Sequence, residues 1–313
     1  MAWARLVDNP RMDSTLKLSG YAFADTPLDR ADKLRDDAAA LMALWPAARI
    51  LVVDDEGNAH ADETGQPLPV TGAQLGGGPG TAIFLGLREG QAWFAVRADV
   101  VSLEAPQRID LRRAAATWPV FEAGVFALAR ALLHWHKGTR HCGSCGGPVE
   151  FRRAGYQGVC GQCGREHYPR VDPAVIVAVS DGQRLLLGRQ SGWAPRHWSV
   201  LAGFVEPGES LEQTVAREVY EETRVRVRTS RYLGAQPWPF PGALMLGFEA
   251  DAEADEPQVD DELEAARWFG VEEIGAALRR EAEGDDGEGI LLSPPISISR
   301  ALIERWYRLH ARA

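Results

Sequence analysis

The chain has 313 residues, 45% hydrophobic and 25% charged, with a formal net charge of −10. That length suits about two domains with room for a small third module, and the composition is that of an ordinary globular protein. The acidic balance argues against a dedicated high-affinity nucleic-acid binder, and the longest strongly apolar run, residues 174–179, is far too short to span a bilayer.

In chain order, the start Met1-Ala2-Trp3-Ala4-Arg5 has no apolar segment behind a basic cluster, so no secretory signal is expected and a cytoplasmic protein is. Residues 1–137 read as a β-rich N-terminal domain. Short apolar or alternating runs at 49–53, 83–87 and 92–96 are separated by turn clusters such as Gly76-Gly77-Gly78-Pro79-Gly80, and a helix is expected near 119–136. No chemistry-bearing motif stands out there. His134 and His136 flank Trp135 and read as ordinary residues of a helix end rather than as ligands.

Residues 138–168 hold all four cysteines. Cys142-Gly-Ser-Cys145 and Cys160-Gly-Gln-Cys163 are two Cys-x2-Cys knuckles with fourteen residues between them. Four thiolates delivered in pairs complete a closed tetrahedral site, so a structural zinc ribbon is expected; a redox pair or an iron–sulfur cluster is the alternative. Around this module the charge reverses locally. From Lys137 to Arg196 nine Lys/Arg face four acids, which would attract a polyanion or form a basic patch with no ligand.

Residues 169–313 read as the third domain. Strand, tight turn and strand are expected over 173–190, a short strand at 199–203, and a helix over Leu211–Thr223 opened by a Ser210/Gln213 capping box. Further strands are expected at 225–233, 243–250 and 266–270. The acidic stretches 251–261 and 281–288 read as solvated loops. A last helix places Ile298, Ala301, Leu302, Arg305, Trp306 and Leu309 on one docking face. No long repeat is visible.

The helix over Leu211–Thr223 carries the chemistry. Successive residues turn by about 100°, so Glu218 continues the stripe begun by Leu211, and Glu222 the stripe begun by Val215; Glu221 lies to one side. Carboxylates pointing inward repel one another and call for a cation, and an all-oxygen site suits Mg2+ or Mn2+.

The segment from Gly203 to Val225 resembles the Nudix box, Gly-x5-Glu-x7-Arg-Glu-U-x-Glu-Glu-x-Gly-U, with U aliphatic. Gly203, Glu209, Arg217, Glu218, Glu221 and Glu222 match, and Val219 and Val225 fill the aliphatic places. The departure is Arg224, where the family has glycine. Arginine in the left-handed turn that glycine would relax costs about 1 kcal/mol but removes no metal ligand, so Arg224→Gly is expected to raise stability without altering metal dependence. The resemblance implies an α+β Nudix fold, a mixed sheet sandwiched by helices. It also implies a structural pairing of Arg217 with Glu209.

Two features resemble the NADH pyrophosphatase branch of the Nudix hydrolases. One is the four-cysteine ribbon directly before the domain. The other is Gln236-Pro237-Trp238-Pro239-Phe240-Pro241, which resembles that branch's Ser-Gln-Pro-Trp-Pro-Phe-Pro motif with Ala235 in place of the serine. Its prolines hold Trp238 and Phe240 with little entropy left to lose, either to frame a flat base or to pack the loop onto the core. The resemblance implies that Tyr168 and Phe204, with Gln236, Trp238 and Phe240, bind substrate. It implies that Glu262, six residues before Trp268, joins Glu218, Glu221 and Glu222 at the catalytic metal; Asp260, Asp261 and Glu264 are its neighbours. The implied reaction is hydrolysis of NADH or NAD+ to NMNH or NMN and AMP, with removal of NAD caps from RNA as the same cleavage on a larger substrate, carried out by a homodimer. Two other readings are a zinc-ribbon nucleic-acid-binding or regulatory protein with a silent Nudix domain, and a hydrolase of ADP-ribose or dinucleoside polyphosphates.

Overall fold

The computed structural model describes residues 18–260, 262–284 and 287–311. The expectations that fall on residues 1–5, Asp261, Asp285 and Asp286 lie outside these. The chain divides into two compact units.

The first unit comprises Phe23–Val171 with Trp238–Gly242. It contains α1 (Ala38–Leu44), β1 (Arg49–Val53), β2 (Ala59–Ala61), β3 (Val70–Thr71), α2 (Gly72–Leu75), β4 (Ile83–Arg88), β5 (Gln91–Arg97), β6 (Gln107–Ile109), α3 (Leu111–Thr117) and α4 (Val120–Gly138). The strands form one sheet in the order β4-β5-β1-β2-β6, with β3 also paired to β1. Strand β1 runs parallel to β5 and antiparallel to β2 and β3. Ile50, Val52, Phe84, Phe94 and Trp45 fill its core. Near the end of α4, His136 stacks on Phe151 at 3.6 Å and bonds the Gly155 carbonyl at 2.7 Å, a packing role. A three-stranded sheet, β7 (Val149–Arg152), β8 (Gln157–Cys160) and β9 (Glu166–His167), carries the cysteines.

The second unit comprises Asp172–Pro237, Ala243–Ala313 and, at the N-terminal end, described residues 18–22. Its elements are β10 (Asp172–Ser180), β11 (Arg184–Arg189), β12 (His197–Trp198), β13 (Leu201–Phe204), α5 (Leu211–Thr223), β14 (Val227–Trp238), β15 (Ala243–Ala252), β16 (Ala265–Gly270), α6 (Val271–Glu283), β17 (Leu291–Leu292) and α7 (Ile298–His310). The sheet order is β14-β15-β10-β11-β16, with β13 also paired to β10. Central β10 is sandwiched. Val175, Val177 and Val179 pack with Val215 and Val219 of α5, while Ile176 and Ala178 pack with Ile298, Leu302 and Trp306 of α7. Burial on both faces is why this strand reads as a continuous apolar run rather than an alternating one.

The two sheets repeat one topology that the sequence does not announce. In each, a central strand (β1, β10) pairs parallel with a late strand (β5, β15) and antiparallel with its hairpin partner (β2, β11) and with a short third strand (β3, β13). The hairpin partner then pairs antiparallel with the last sheet strand, β6 or β16. The helix that follows the short strand is four residues long in the first unit and thirteen in the second.

Two expectations are corrected by packing. Leu309 is 52% exposed, so the docking face of α7 ends at Trp306. The stretch after Asp251 is not a freely solvated loop: Asp251 and Ala252 end β15, and residues beyond are tied to the segment after α5. Glu281 likewise belongs to α6, where its Oε1 accepts from the Leu292 N–H at 2.9 Å. No helix among the described residues is long and apolar enough to cross a membrane.

Candidate active site

Helix α5 forms where its sequence says it should. The Ser210 hydroxyl accepts from the Gln213 N–H at 3.2 Å, and Gln213 Oε1 accepts from the Ser210 N–H at 2.8 Å, closing the capping box. Val215 and Val219 anchor its inner face. The helix ends at Arg224, which is left-handed at φ 61°, ψ 9° and donates its N–H to the Tyr220 carbonyl at 2.8 Å. The expected left-handed turn is therefore present with an arginine in it.

The inner face delivers the carboxylates as the helical spacing requires. Glu222 is only 6% exposed, whereas the Glu221 side chain lies mostly in solvent. One carboxylate oxygen of Glu222 is buried with no hydrogen-bond partner among the described residues. Burial, then the charges of Glu262 and Glu218, push the Glu222 carboxyl up to about 8. Burial also raises Glu218; Arg217 opposes that rise, and Glu221 and Glu262 add to it. A buried oxygen without a partner, under the charge of two further carboxylates, fits a cation. The charge of Glu262, an exposed residue on a different segment, acts on both Glu218 and Glu222.

Arg217 organises the loop before the helix. It donates to Glu209 from Nε at 2.6 Å and Nη2 at 3.0 Å, to the Phe204 carbonyl at 3.0 Å, and to Glu221 at 2.9 Å, and pairs with Glu218 at 3.0 Å. These guanidinium bonds, with further donation from the Glu206 N–H and Thr214 hydroxyl, hold the Glu209 carboxyl down at about 2. Gly203 on β13 is a space requirement rather than a conformational one: a Cβ there would sit 1.9 Å from Glu218 Cδ. The strand thus leaves a notch that the carboxylate occupies.

The substrate-motif residues separate into two kinds. Gln236 is fully buried, and its amide is saturated by the backbone: Nε2 donates to the Ala22 and Ile296 carbonyls at 2.9 and 2.8 Å, and Oε1 accepts from the Ile298 N–H at 2.8 Å. It ties the motif down and has no donor left for a ligand. Trp238 and Phe240 lie 4.8 Å apart, half-buried, and the guanidiniums of Arg112 and Arg130 lie over the Phe240 ring at 4.1 and 5.1 Å. Phe204 and Tyr168 are both exposed; the Tyr168 hydroxyl donates to Glu166 and accepts from Gln157. The two arginines were missed from sequence, because neither falls in a motif.

In the other unit, the four cysteines lie with their sulfurs within 4.8 Å of one another. Each knuckle turns through a glycine just past its second cysteine, Gly146 at φ 75° and Gly164 at φ 72°, whose N–H returns to the carbonyl of the first cysteine. The backbone N–H groups of Ser144 and Cys145 hold the Cys142 thiol down at about 5, and those of Cys163 and Gln162 lower Cys160. Four sulfurs gathered at this spacing fit a tetrahedral metal with no open position.

A notched strand, an Arg-Glu-tied loop and a carboxylate helix over a mixed sheet define a Nudix hydrolase. Residues 170–289 match the NUDIX domain family, and residues 39–135 match the family described as NADH pyrophosphatase-like rudimentary NUDIX domain. The chain is 42% identical over 289 residues to the NAD-capped RNA hydrolase NudC of Mycobacterium bovis, covering 89% of this chain and 92% of that protein. It is equally similar to the protein of that name from Mycobacterium tuberculosis, with the same coverage. It is 35% identical over 245 residues to the human NAD-capped RNA hydrolase NUDT12, covering 70% of this chain and 51% of that one. A solved NUDIX hydrolase from Nitrosomonas europaea aligns over 50% of this chain and 99% of its own, at 22% identity and a TM-score of 0.39. The chain belongs to the NudC-type NADH pyrophosphatases of the Nudix superfamily, a family of hydrolases that use divalent metals.

Proposed function

We propose that this protein hydrolyses the pyrophosphate bond of NADH or NAD+, giving NMNH or NMN and AMP, and performs the same cleavage on RNA carrying a 5′ NAD cap. The observation that carries the reading is the unpartnered, buried oxygen of Glu222 set against Glu218 and Glu262. Glu218, Glu221, Glu222 and Glu262 would hold Mg2+ or Mn2+, which would supply neutralisation of the pyrophosphate charge and a lowered pKa of water. One of these glutamates takes the proton as water oxygen bonds to phosphorus and the bridging P–O bond breaks. Arg217 and Glu209 fix the loop and helix and stay out of the chemistry. Gly203 keeps room for Glu218.

Trp238 and Phe240, with half-buried rings 4.8 Å apart, suit a flat base, and Tyr168 and Phe204 are exposed rings each on its own unit. The four cysteines hold structural Zn2+. Relatives named for NAD-capped RNA support the larger substrate, and the locally basic stretch from Lys137 to Arg196 suits its backbone. We further take the working assembly to be a cytoplasmic homodimer, which light scattering of the purified protein checks.

The test is product analysis with NADH, NAD+, ADP-ribose, a dinucleoside polyphosphate and NAD-capped RNA, in Mg2+ or Mn2+. AMP with NMNH, and 5′-monophosphate RNA with NMN, are the expected products. Faster turnover of ADP-ribose than of any NAD substrate would overturn the substrate assignment. RNA binding with no turnover of any of the five would point to a silent domain.

A further inference from the structure

The carboxylate cluster draws on two segments that are far apart in sequence, and one side chain joins them. Arg224 follows Glu222 by two positions, and Asp260 precedes Glu262 by two. The Arg224 guanidinium donates to Asp260, and also lies 5.5 Å from the Tyr220 ring centre. Backbone bonds run alongside: the Gln258 N–H donates to the Thr223 carbonyl at 2.9 Å, and the Glu253 N–H to the Arg226 carbonyl at 2.9 Å. Arg226 adds a two-pronged pair to Asp255 at 2.9 and 2.8 Å, and Trp268 Nε1 donates to the Asp255 carbonyl at 2.9 Å. On the far side of Glu262, Leu263 is buried, the Glu264 N–H donates to the Arg189 carbonyl at 2.9 Å, and Glu264 pairs with Arg189 at 3.0 Å. Glu262 is thus suspended between two anchors, and Arg224 supplies the nearer one on the helix side.

Resting on the metal-site reading above, we infer that Arg224 is a positioning residue: its ion pair with Asp260 holds Glu262 opposite Glu218 and Glu222, and so sets the affinity of the cluster for a divalent cation. The expectation that Arg224→Gly leaves metal dependence untouched is thereby reversed. The left-handed strain at Arg224 and the ion pair are separable, because glycine relieves the first while deleting the second. The pair is partly exposed, so its leverage on the metal is modest.

The test measures Mn2+ binding to the full-length, zinc-retaining protein by the electron paramagnetic resonance signal of free Mn2+, beside thermal melts. Arg224→Gly and Asp260→Asn are each expected to raise the Mn2+ Kd about two- to fivefold. The double variant should shift no further than either single one. Arg224→Lys should stay near the parent, and Arg224→Gly should melt at or above it without metal. An unchanged Kd in either single variant, or additive shifts in the double, overturns the inference; a lower melting temperature in Asp260→Asn with unchanged Kd would mark the pair as a staple only. Glu222→Gln separates the two levels. Lost Mn2+ binding there upholds the carboxylate site whatever Arg224 does, and parental binding overturns the site and the coupling with it.

Discussion

Gly203→Ala is the sharpest probe of the active-site geometry. An added Cβ would lie 1.9 Å from Glu218 Cδ and 2.1 and 2.2 Å from its oxygens, where ordinary contact begins near 3.4 Å. The carboxylate must therefore retreat by about 1.5 Å, comparable with a whole metal–oxygen bond of roughly 2 Å. The atoms met are the free end of a side chain, and Gly203 lies in ordinary strand pairing opposite Val175, so the backbone has no reason to move. A misplacement of about 1 Å costs on the order of 100-fold in rate, or about 3 kcal/mol of barrier. The expected outcome is a kcat for AMP release from NADH down about 100-fold at saturating Mg2+, with the metal-free melting temperature held within about 3 °C. Glu218→Asp, a side chain shorter by one methylene, should partly restore activity when combined with Gly203→Ala while lowering it in the parent. Full activity in Gly203→Ala would refute the placement of Glu218 at the reacting centre. A collapsed melt would show that the glycine serves the strand and not the carboxylate.

Glu222→Gln should abolish hydrolysis and leave bound zinc in place. In metal-free protein the folded state holds the Glu222 proton more tightly than the unfolded chain does, at about 8 against 4.5. Its contribution to stability is therefore complete below about pH 4.5 and lost as pH rises through 8, about 5 kcal/mol at most. Chelated parent protein should lose more melting temperature between pH 5 and pH 9 than Glu222→Gln does, and parallel pH profiles would contradict the burial of this carboxyl. Gln236→Ala strands two carbonyls and one N–H and should destabilise by about 3 kcal/mol in urea unfolding; a loss under 1 kcal/mol would return Gln236 to a ligand-facing role. Cys160→Ser should release zinc to a colorimetric chelator and lower the melt of the ribbon-bearing unit, and unchanged zinc content would reject the four-sulfur site.

Much of the site was legible in the residues alone. The capping box at Ser210 and the 3.6-residue spacing placed Glu218 and Glu222 on the inner face, because local hydrogen bonds and helix geometry need no tertiary information. Glu262 depended on a resemblance, since nothing within its own segment distinguishes it from Asp260 or Glu264. The acidic stretch after Asp251 misled because charge runs are usually solvated; arginines at 224, 226 and 228 offered the missing signal, facing Asp260, Asp255 and Glu253. Arg305 was rightly placed on the inner face of α7, where it lies buried and pairs with Glu249, but Leu309 continues the same spacing into solvent. Gln236 was expected to contact substrate because of the motif it opens, and nothing in that motif signals the three backbone partners that take up its amide. The shared topology of the two sheets was not legible from motifs, because the first copy lacks the carboxylate helix that marks the second; residues 39–135 nonetheless match the family described as a rudimentary NUDIX domain.

That duplication makes the molecule an internal control. The short helix α2, Gly72-Ala73-Gln74-Leu75, occupies the place of α5 and has no acid in it. The carboxylates of α5 therefore have no counterpart in α2. Withdrawing a divalent metal would burden a single copy of a pattern present twice, so the copy whose short helix lacks acids would report how that architecture behaves without that burden.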